Sequence, residues 1–443
     1  MSGGDTLVVY SLTEHPLRST IRDHLYSFRR YSGGRCAYLN MAVRNPPRSL
    51  SGHDWDTIVF HTSFLGQRWV PEVFADHLRR ARPLRGLGRA RVALPQDEFL
   101  RSGALCEFIE DFQVDAVMSV APESEWPKIY EGVDRSRVTI APVLTGYLSD
   151  HTVERIDRIL ERTPERPIGV GYRAWEGAPW LGRHGMLKRR IGEVFAEAAP
   201  ARGIPTDVST EPSGVLSGDD WFRFLARCRY TLGVEGGAGI LDRDGALKEA
   251  TEAYLREHPG APFDEVEAAC FPGRDGELAL FAVSPRHLEA CATRTCQVLV
   301  EGRYSGVLRP GEHYIELRAD LSNLDEVLDA IERDEERDRI TRAARRDVVD
   351  SGRYGYRGFV EAVERAADEV RRPVTASAGR SALALRRAGV ADRLSWLRVM
   401  FNARLVPRFS GVVARVLPES AAAYLRRRIY GAPAASDGTS SSR

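Results

Sequence analysis

The chain has no paired cysteines. Its six cysteines (Cys36, Cys106, Cys228, Cys270, Cys291 and Cys296) are scattered, and none forms a CxxC step. This excludes a disulfide framework and the common zinc spacings, and leads us to expect reduced, mostly buried thiols in a cytoplasmic protein. No apolar run approaches the ~20 residues needed to cross a bilayer. The opening MSGGD has no basic and apolar leader, so neither secretion nor membrane insertion is expected. HExxH, calcium-loop, spaced dinucleotide-glycine and phosphate-loop lysine motifs are also missing. "GHDWD" around His53 offers no convincing ligand set, so no metal is expected. The formal net charge of +1 gives no global bias toward nucleic acid.

What is present is length and alternation. At 443 residues the chain exceeds the usual size of one core, which points to two domains and a tail. Strand-like runs at Leu7–Tyr10, Thr57–Phe60, Arg91–Leu94, Ala116–Val120 and Val138–Ala141 alternate with helical patterns at Thr20–Arg30, Pro71–Ala81 and Ser102–Phe112. Such alternation predicts a mostly parallel α/β sheet covered on both faces. "RTPERP" at 162–167 marks a hinge.

The pattern then restarts. Strands are expected at Ile168–Tyr172, Thr206–Ser209, Tyr230–Val234, Cys296–Val300 and Tyr314–Leu317, with a charged helical insertion at Asp242–Glu267. Helical spacing covers Leu187–Glu197, Leu324–Ile331 and Ile340–Asp347. Ser217 with Asp220, and Ser284 with Pro285, read as helix starts. The expected division is 1–163, 164–372 with closing helices, and a tail at 373–443. The tail carries twelve arginines against Asp392, Glu419 and Asp437, leaving it at +9 and the body at −8. Between Leu394 and Pro418 it mixes large apolar residues with arginine and has no acid. That composition suits a helical, basic amphipathic segment against an acidic lipid surface, an assembly partner or the body itself.

In doubly wound sheets, ligands bind beyond the carboxyl ends of the strands. Two such units facing each other form a cleft for two substrates, and polar residues just past the strands are its candidate lining. In the first unit these are Glu14, His15 and Arg18, then His61, then Gln96 and Asp97, then Glu123. They are candidate acceptor contacts, with Ser19 or Thr20 expected to cap the next helix. His15 and Asp97 are the candidate bases. In the second unit, Arg173, Arg183 and Lys188 could clamp a diphosphate, and Arg173 and Lys188 could stabilise its departure. His184 lies among them. "LGVEGGAG" offers Glu235, Gly236 and Gly237 for close backbone approach. Glu289 precedes the strand at 296–300, and Glu301, Tyr304, Ser305 and Gly306 follow it. The alternative readings are local capping and a turn residue around His15, a solvated basic face for Arg173, Arg183 and Lys188, and an ordinary surface glutamate for Glu289, which in isolation is the stronger reading there.

Together, "TRTCQVLVEGRYSGVLRPGEHYIELRADLSNLDEVLDAI" resembles the donor side of two-lobed GT-B glycosyltransferases, and especially the bacterial CgeB-like, spore-maturation-type domain. Glu289, Glu301, Tyr304, Ser305, Gly306, His313, Tyr314 and Asn323 stand at the matching places. Weaker likeness extends to "STIRDHLYSFRRYS", "PQDEF", "VLTGY" and "GVEGGAG". The resemblance implies a GT-B-like fold of two tandem Rossmann-like domains facing a central cleft. It also implies metal-independent sugar transfer from a nucleotide-diphosphate sugar to an acceptor hydroxyl, a hexosyltransferase-like activity in glycan biosynthesis. No cofactor beyond that co-substrate is implied. Glu289 would hold the ribose, Arg173 and Lys188 the diphosphate, and loop amides near Gly237 and Ser305 would assist. The acceptor's identity stays open, a glycan or a lipid-linked molecule being the candidates. Independently of the resemblance, the scattered thiols and missing leader lead us to expect a cytoplasmic protein, peripheral on the inner face of a membrane if the basic tail meets lipid. Two departures stand out. Phe281 occupies the position, eight residues before Glu289, where many retaining members carry glutamate, and "RTC" replaces an "ACGT"-like turn. Stereochemistry therefore stays open. A nucleotide-sugar epimerase of the same fold, or a noncatalytic nucleotide-sugar or glycan-binding protein, remains the alternative.

Overall fold

A computed structural model describes residues 4–14, 17–373, 385–390 and 392–400. The first lobe is built on β1 (Thr6–Tyr10), β2 (Cys36–Asn40), β3 (Thr57–Phe60), β4 (Ala90–Ala93), β5 (Ala116–Ser119) and β6 (Thr139–Pro142). Their order is β2-β1-β3-β4-β5-β6, parallel throughout. The central strands are buried along their whole length, as expected where helices cover both faces. β2, "CAYLN", has no β-branched run and gave no strand signal in the sequence; its pairing with β1 makes it a strand.

The second lobe contains β7 (Ile168–Arg173), β8 (Thr206–Ser209), β9 (Cys228–Gly233), the short β10 (Gly236–Ala238) and β11 (Leu280–Ala282), then β12 (Cys296–Val300) and β13 (Ile315–Leu317). Five of these form a parallel sheet in the order β13-β12-β9-β7-β8, while β10 and β11 make a separate antiparallel pair. The chain steps outward from β7 to β8, then crosses back past β7 to β9 and continues in that direction to β12 and β13. The β7–β9 junction is therefore the switch point where ligands bind in such sheets. Two helix-covered, parallel-sheet Rossmann-like lobes flank a cleft, which is the GT-B-like arrangement.

Two connections join the lobes besides the hinge. The helix Tyr356–Glu369 returns to the first lobe: Phe359, Val360, Val363, Ala366 and Ala367 share a core with Val8, Tyr10, Phe28 and Met118. Its apolar face packs against the first sheet. The insertion between β10 and β11 carries helices Ala246–Glu257 and Phe263–Cys270. It reaches across to the first lobe. Arg101 donates its backbone N–H to the Asp242 carbonyl at 2.6 Å, and Lys128 donates to the Glu277 carbonyl at 2.9 Å.

Two expected caps are absent. Helix Ser19–Tyr31 begins after Arg18 with no side-chain cap, and helix Asp219–Arg227 begins after Gly218, whose φ of +57° suits glycine. At Pro285–Ala292 the expected start holds: Ser284 caps the helix, and His287 bonds back to the Ser284 N–H at 3.1 Å.

Candidate functional site

A cavity of about 600 Å³ opens at the β7–β9 switch point, within the range of small-molecule sites. Tyr172 to Trp175, at and just past the end of β7, and Thr231 to Val234, at and just past the end of β9, form one wall. Arg18, Ser19 and Thr20, at the uncapped start of helix Ser19–Tyr31, face them from the first lobe. Arg18, Arg173, Lys188 and Arg286 all line the cavity, and Glu289 is the one carboxylate among the described lining residues. The chamber is thus strongly cationic, and it includes the N-terminus of a helix that has no side-chain cap among the described residues.

The cations differ in what already holds them. Arg173 donates to its neighbours' carbonyls and to Asp207 Oδ1 at 2.7 Å, and its guanidinium lies 4.2 Å from the centre of the Phe224 ring. Arg286 lies over the Trp221 ring at 4.8 Å and donates to the Arg173 carbonyl. Burial holds the Arg286 pKa below its ordinary value, with the charges of Glu289 and Tyr172 opposing the shift and that of Arg18 adding to it. Lys188 has no ion-pair partner within 4 Å among the described residues. Burial and then repulsion from Arg286 lower its pKa, while Asp97 across the gap opposes the shift. These are cations arranged to meet an anion.

Glu289 is 7% exposed and accepts from the Trp221 indole N–H at 2.8 Å. Burial pushes its pKa up to about 7, against the pull of that hydrogen bond and of Arg286. Gln297, also in the lining, is 1% exposed and its Oε1 has no hydrogen-bond partner among the described residues. A ligand N–H or O–H there would satisfy it. At the mouth, Trp175 is 58% exposed, an apolar ring beside the cations.

Of the residues expected from sequence, the cavity brings together Arg18, Arg173, Lys188, Gly236 and Glu289. Asp97 sits opposite Lys188 in a left-handed conformation, φ +52°, held by Arg68. Asp97 is exposed, but surrounding protein raises its pKa, with Arg68 and then Lys188 opposing. His15 lies outside the described residues, and its neighbour Glu14 is exposed.

The other candidates are used differently. His61 is fully buried, bonded to His24 at 2.8 Å and capping the next short helix, so it has no surface to offer an acceptor. Gln96 donates to the Thr145 carbonyl at 2.9 Å, and Glu123 is exposed away from the cavity. Arg183 pairs with Asp264 and Glu267 and stacks on Phe263, which anchors the insertion. Gly237, at φ +130°, passes so close to the Leu280 carbonyl that a Cβ would lie 1.8 Å from its oxygen. Glu235 accepts the backbone N–H groups of Tyr304, at 2.6 Å, and Arg303. It thereby holds the turn Tyr304–Gly306, where all three residues have positive φ. Tyr304 itself is buried, Ser305 accepts from the Val283 N–H at 3.2 Å, Gly306 is exposed, and Glu301 accepts from the Ala319 N–H at 2.9 Å. None of these four lines the cavity. A Glu235→Ala variant should therefore lose about 1–3 kcal/mol in a denaturant titration, the cost of two unpaired N–H groups.

Sequence reasoning missed Arg286, Trp221, Trp175 and Gln297. Arg286 carried a usable signal, being the second residue of a Ser-Pro helix start and three before Glu289. Phe281, at the position of the absent glutamate, packs against His184 in a tilted ring contact, 4.0 Å between ring centres. Away from the cavity, Glu312, His313 and Asp347 place ligand-type atoms within 4.8 Å of one another. Arg309 ion-pairs with both acids, so their charge is already met.

No protein-family model matches the chain, and no curated protein matches it. Among solved structures, it is similar to Anabaena Alr3699/HepE in complex with UDP-glucose (10% identity, 83% of this chain and 100% of that one, TM-score 0.45). A glycosyltransferase from Rickettsia africae ESF-5 follows (8% identity, 84% and 99%, TM-score 0.42). Sucrose-phosphate synthase from Thermosynechococcus elongatus is comparable (10% identity, 83% and 99%, TM-score 0.41). Likenesses this distant decide neither fold nor activity; the strand order decides the fold.

Proposed function

We propose that the cleft binds a nucleotide-diphosphate sugar and transfers the sugar to an acceptor hydroxyl without a divalent metal. The observation that carries this reading is the set of four cations around a single buried carboxylate at the switch point. Lys188 and Arg286, with the uncapped N–H groups at Ser19 and Thr20, receive the diphosphate and the charge that grows as it leaves. Arg173 adds to the field, although Asp207 engages its guanidinium. Glu289 accepts vicinal ribose hydroxyls. Trp175 offers a face for stacking, and Gln297 a buried acceptor. The acceptor enters on the first lobe, where Asp97 faces Lys188 and serves as the base; His15 is the second candidate. An epimerase would need several carboxylates around the sugar, and the described lining has one.

The test incubates the full chain with a panel of nucleotide sugars and reads nucleoside-diphosphate release and binding. If none of the panel binds, the reading fails; binding without release, with any acceptor supplied, leaves a nucleotide-sugar-binding protein.

The Glu289 carboxyl also sets a pH dependence. Its folded pKa lies above the ordinary 4.5, so the empty protein loses stability as pH rises through about 4.5 to 7. Hydroxyl donors favour the ionised form, so affinity for a nucleotide sugar should rise between about pH 6 and 8. Such diphosphate diesters have no ionisation of their own in that window. Calorimetric titrations across it should show the rise in the native protein and a flat profile in Glu289→Gln.

A further inference from the structure

The described part of the tail, 385–390 and 392–400, is helical and docks on the first lobe. Asp392 accepts from the Tyr10 hydroxyl at 2.7 Å and lies 3.5 Å from Arg29, while Trp396 stacks on Tyr10 and donates to the Tyr26 hydroxyl. Ala388 and Val399 are buried. The seated side is therefore specific, and the opposite side is unusual. Val390, Leu394 and Leu397 are 56, 54 and 55% exposed, three of the five exposed large hydrophobic residues among those described. Their spacing places them on one helical face. The other exposed large residues of this segment are Arg386, Arg387, Arg393 and Arg398, so the face contains no acid.

We propose that this face seats the protein on an anionic bilayer surface. Apolar side chains enter the headgroup boundary while arginines pair with acidic headgroups. Charge selects this occupant over the others. The remaining segment, 401–443, holds seven arginines against Glu419 and Asp437, and a second copy pairing tail face to tail face would present the same basic face. Both would meet it with like charge. Arg22, Arg29 and Arg30, together with Asp23, line a neighbouring hollow of about 380 Å³ on helix Ser19–Tyr31, which adds a net positive charge beside the tail. The start of that helix lines the cleft. At 1.5 Å per residue, the tail's seat at Tyr26 to Arg29 lies on the order of 10–15 Å from it. A lipid-linked acceptor would thus be held near the site.

The full chain is sedimented with phosphatidylcholine vesicles with and without 30 mol% phosphatidylglycerol, composition and salt being varied. We expect binding that requires the anionic lipid and weakens with salt. Leu394→Glu with Leu397→Glu should reduce partitioning at least ~10-fold, and Arg386→Gln, Arg387→Gln and Arg393→Gln together about 100-fold, at ~5-fold per arginine. All five side chains are exposed, so folding is preserved, and nucleotide binding by each variant checks it. Native-level binding by both variants overturns the proposal, as does no binding by the native chain. Light scattering that shows a dimer dissociated by Leu394→Glu, without vesicle binding, assigns the face to a second copy instead.

Discussion

A Lys188→Met protein should bind its preferred nucleoside diphosphate roughly 10- to 100-fold more weakly than the native protein, yet melt at the same temperature or higher. Both halves follow from the same geometry. The ammonium is largely desolvated, is repelled by Arg286 and has no ion-pair partner among the described residues. In the empty protein this charge is a cost, because a lysine whose folded pKa is lowered disfavours the folded state at neutral pH. Methionine keeps most of the stem's packing and removes the penalty. With ligand present, the balance reverses. A charge-assisted hydrogen bond to phosphate contributes about 1.5–3 kcal/mol, which sets the expected loss of affinity. Calorimetric titration against a panel of nucleoside diphosphates, paired with a thermal melt, separates the two effects. A lower Tm with unchanged affinity would show that Lys188 is a structural residue and would remove the diphosphate from this side of the cleft.

The second large effect is on stability. Arg68 is 1% exposed, and its guanidinium donates to the backbone carbonyls of Leu65, Gln96, Asp97 and Leu100 at 2.6 to 3.0 Å. It has no carboxylate within 4 Å among the described residues; nearby Asp97 and Glu98 act on it at longer range. Its work is to hold the turn that presents Asp97 to the cleft. Arg68→Leu strands four carbonyls and leaves Glu98 without its nearest cation, so we expect a loss of about 3–5 kcal/mol in urea unfolding. Glu98 already has its pKa pushed up to about 7 by burial, despite hydroxyl donors from Ser119 and Tyr130. The loss should therefore be larger at pH 8, where Glu98 is ionised, than at pH 5. A loss under about 1 kcal/mol, or one independent of pH, would show that the turn is held by other contacts. Activity should fall further than stability if Asp97 is the base.

How much of this was readable in advance can be judged residue by residue. The two parallel sheets were legible because fully buried parallel strands are short apolar runs between helical patterns. Ser284 and Pro285 announced their helix because capping is local chemistry within a single turn. The strand β2 was not legible, because only its neighbour makes "CAYLN" a strand. The burial of His61 followed from His24, on a helix the sequence shows no reason to place there.

The sequence by itself determined two α/β units, a hinge between them, a basic tail and a cluster of candidate charges beyond the strand ends. Tertiary structure alone decided which of those charges meet. Glu289 faces a tryptophan 68 residues away, Arg183 turned to the insertion, and Glu235 was taken by the backbone of a strained turn. The reason is physical. Strand and helix patterns are set by neighbours within a few positions, whereas a carboxylate's role depends on which donors folding brings within about 3 Å, and those come from distant parts of the chain.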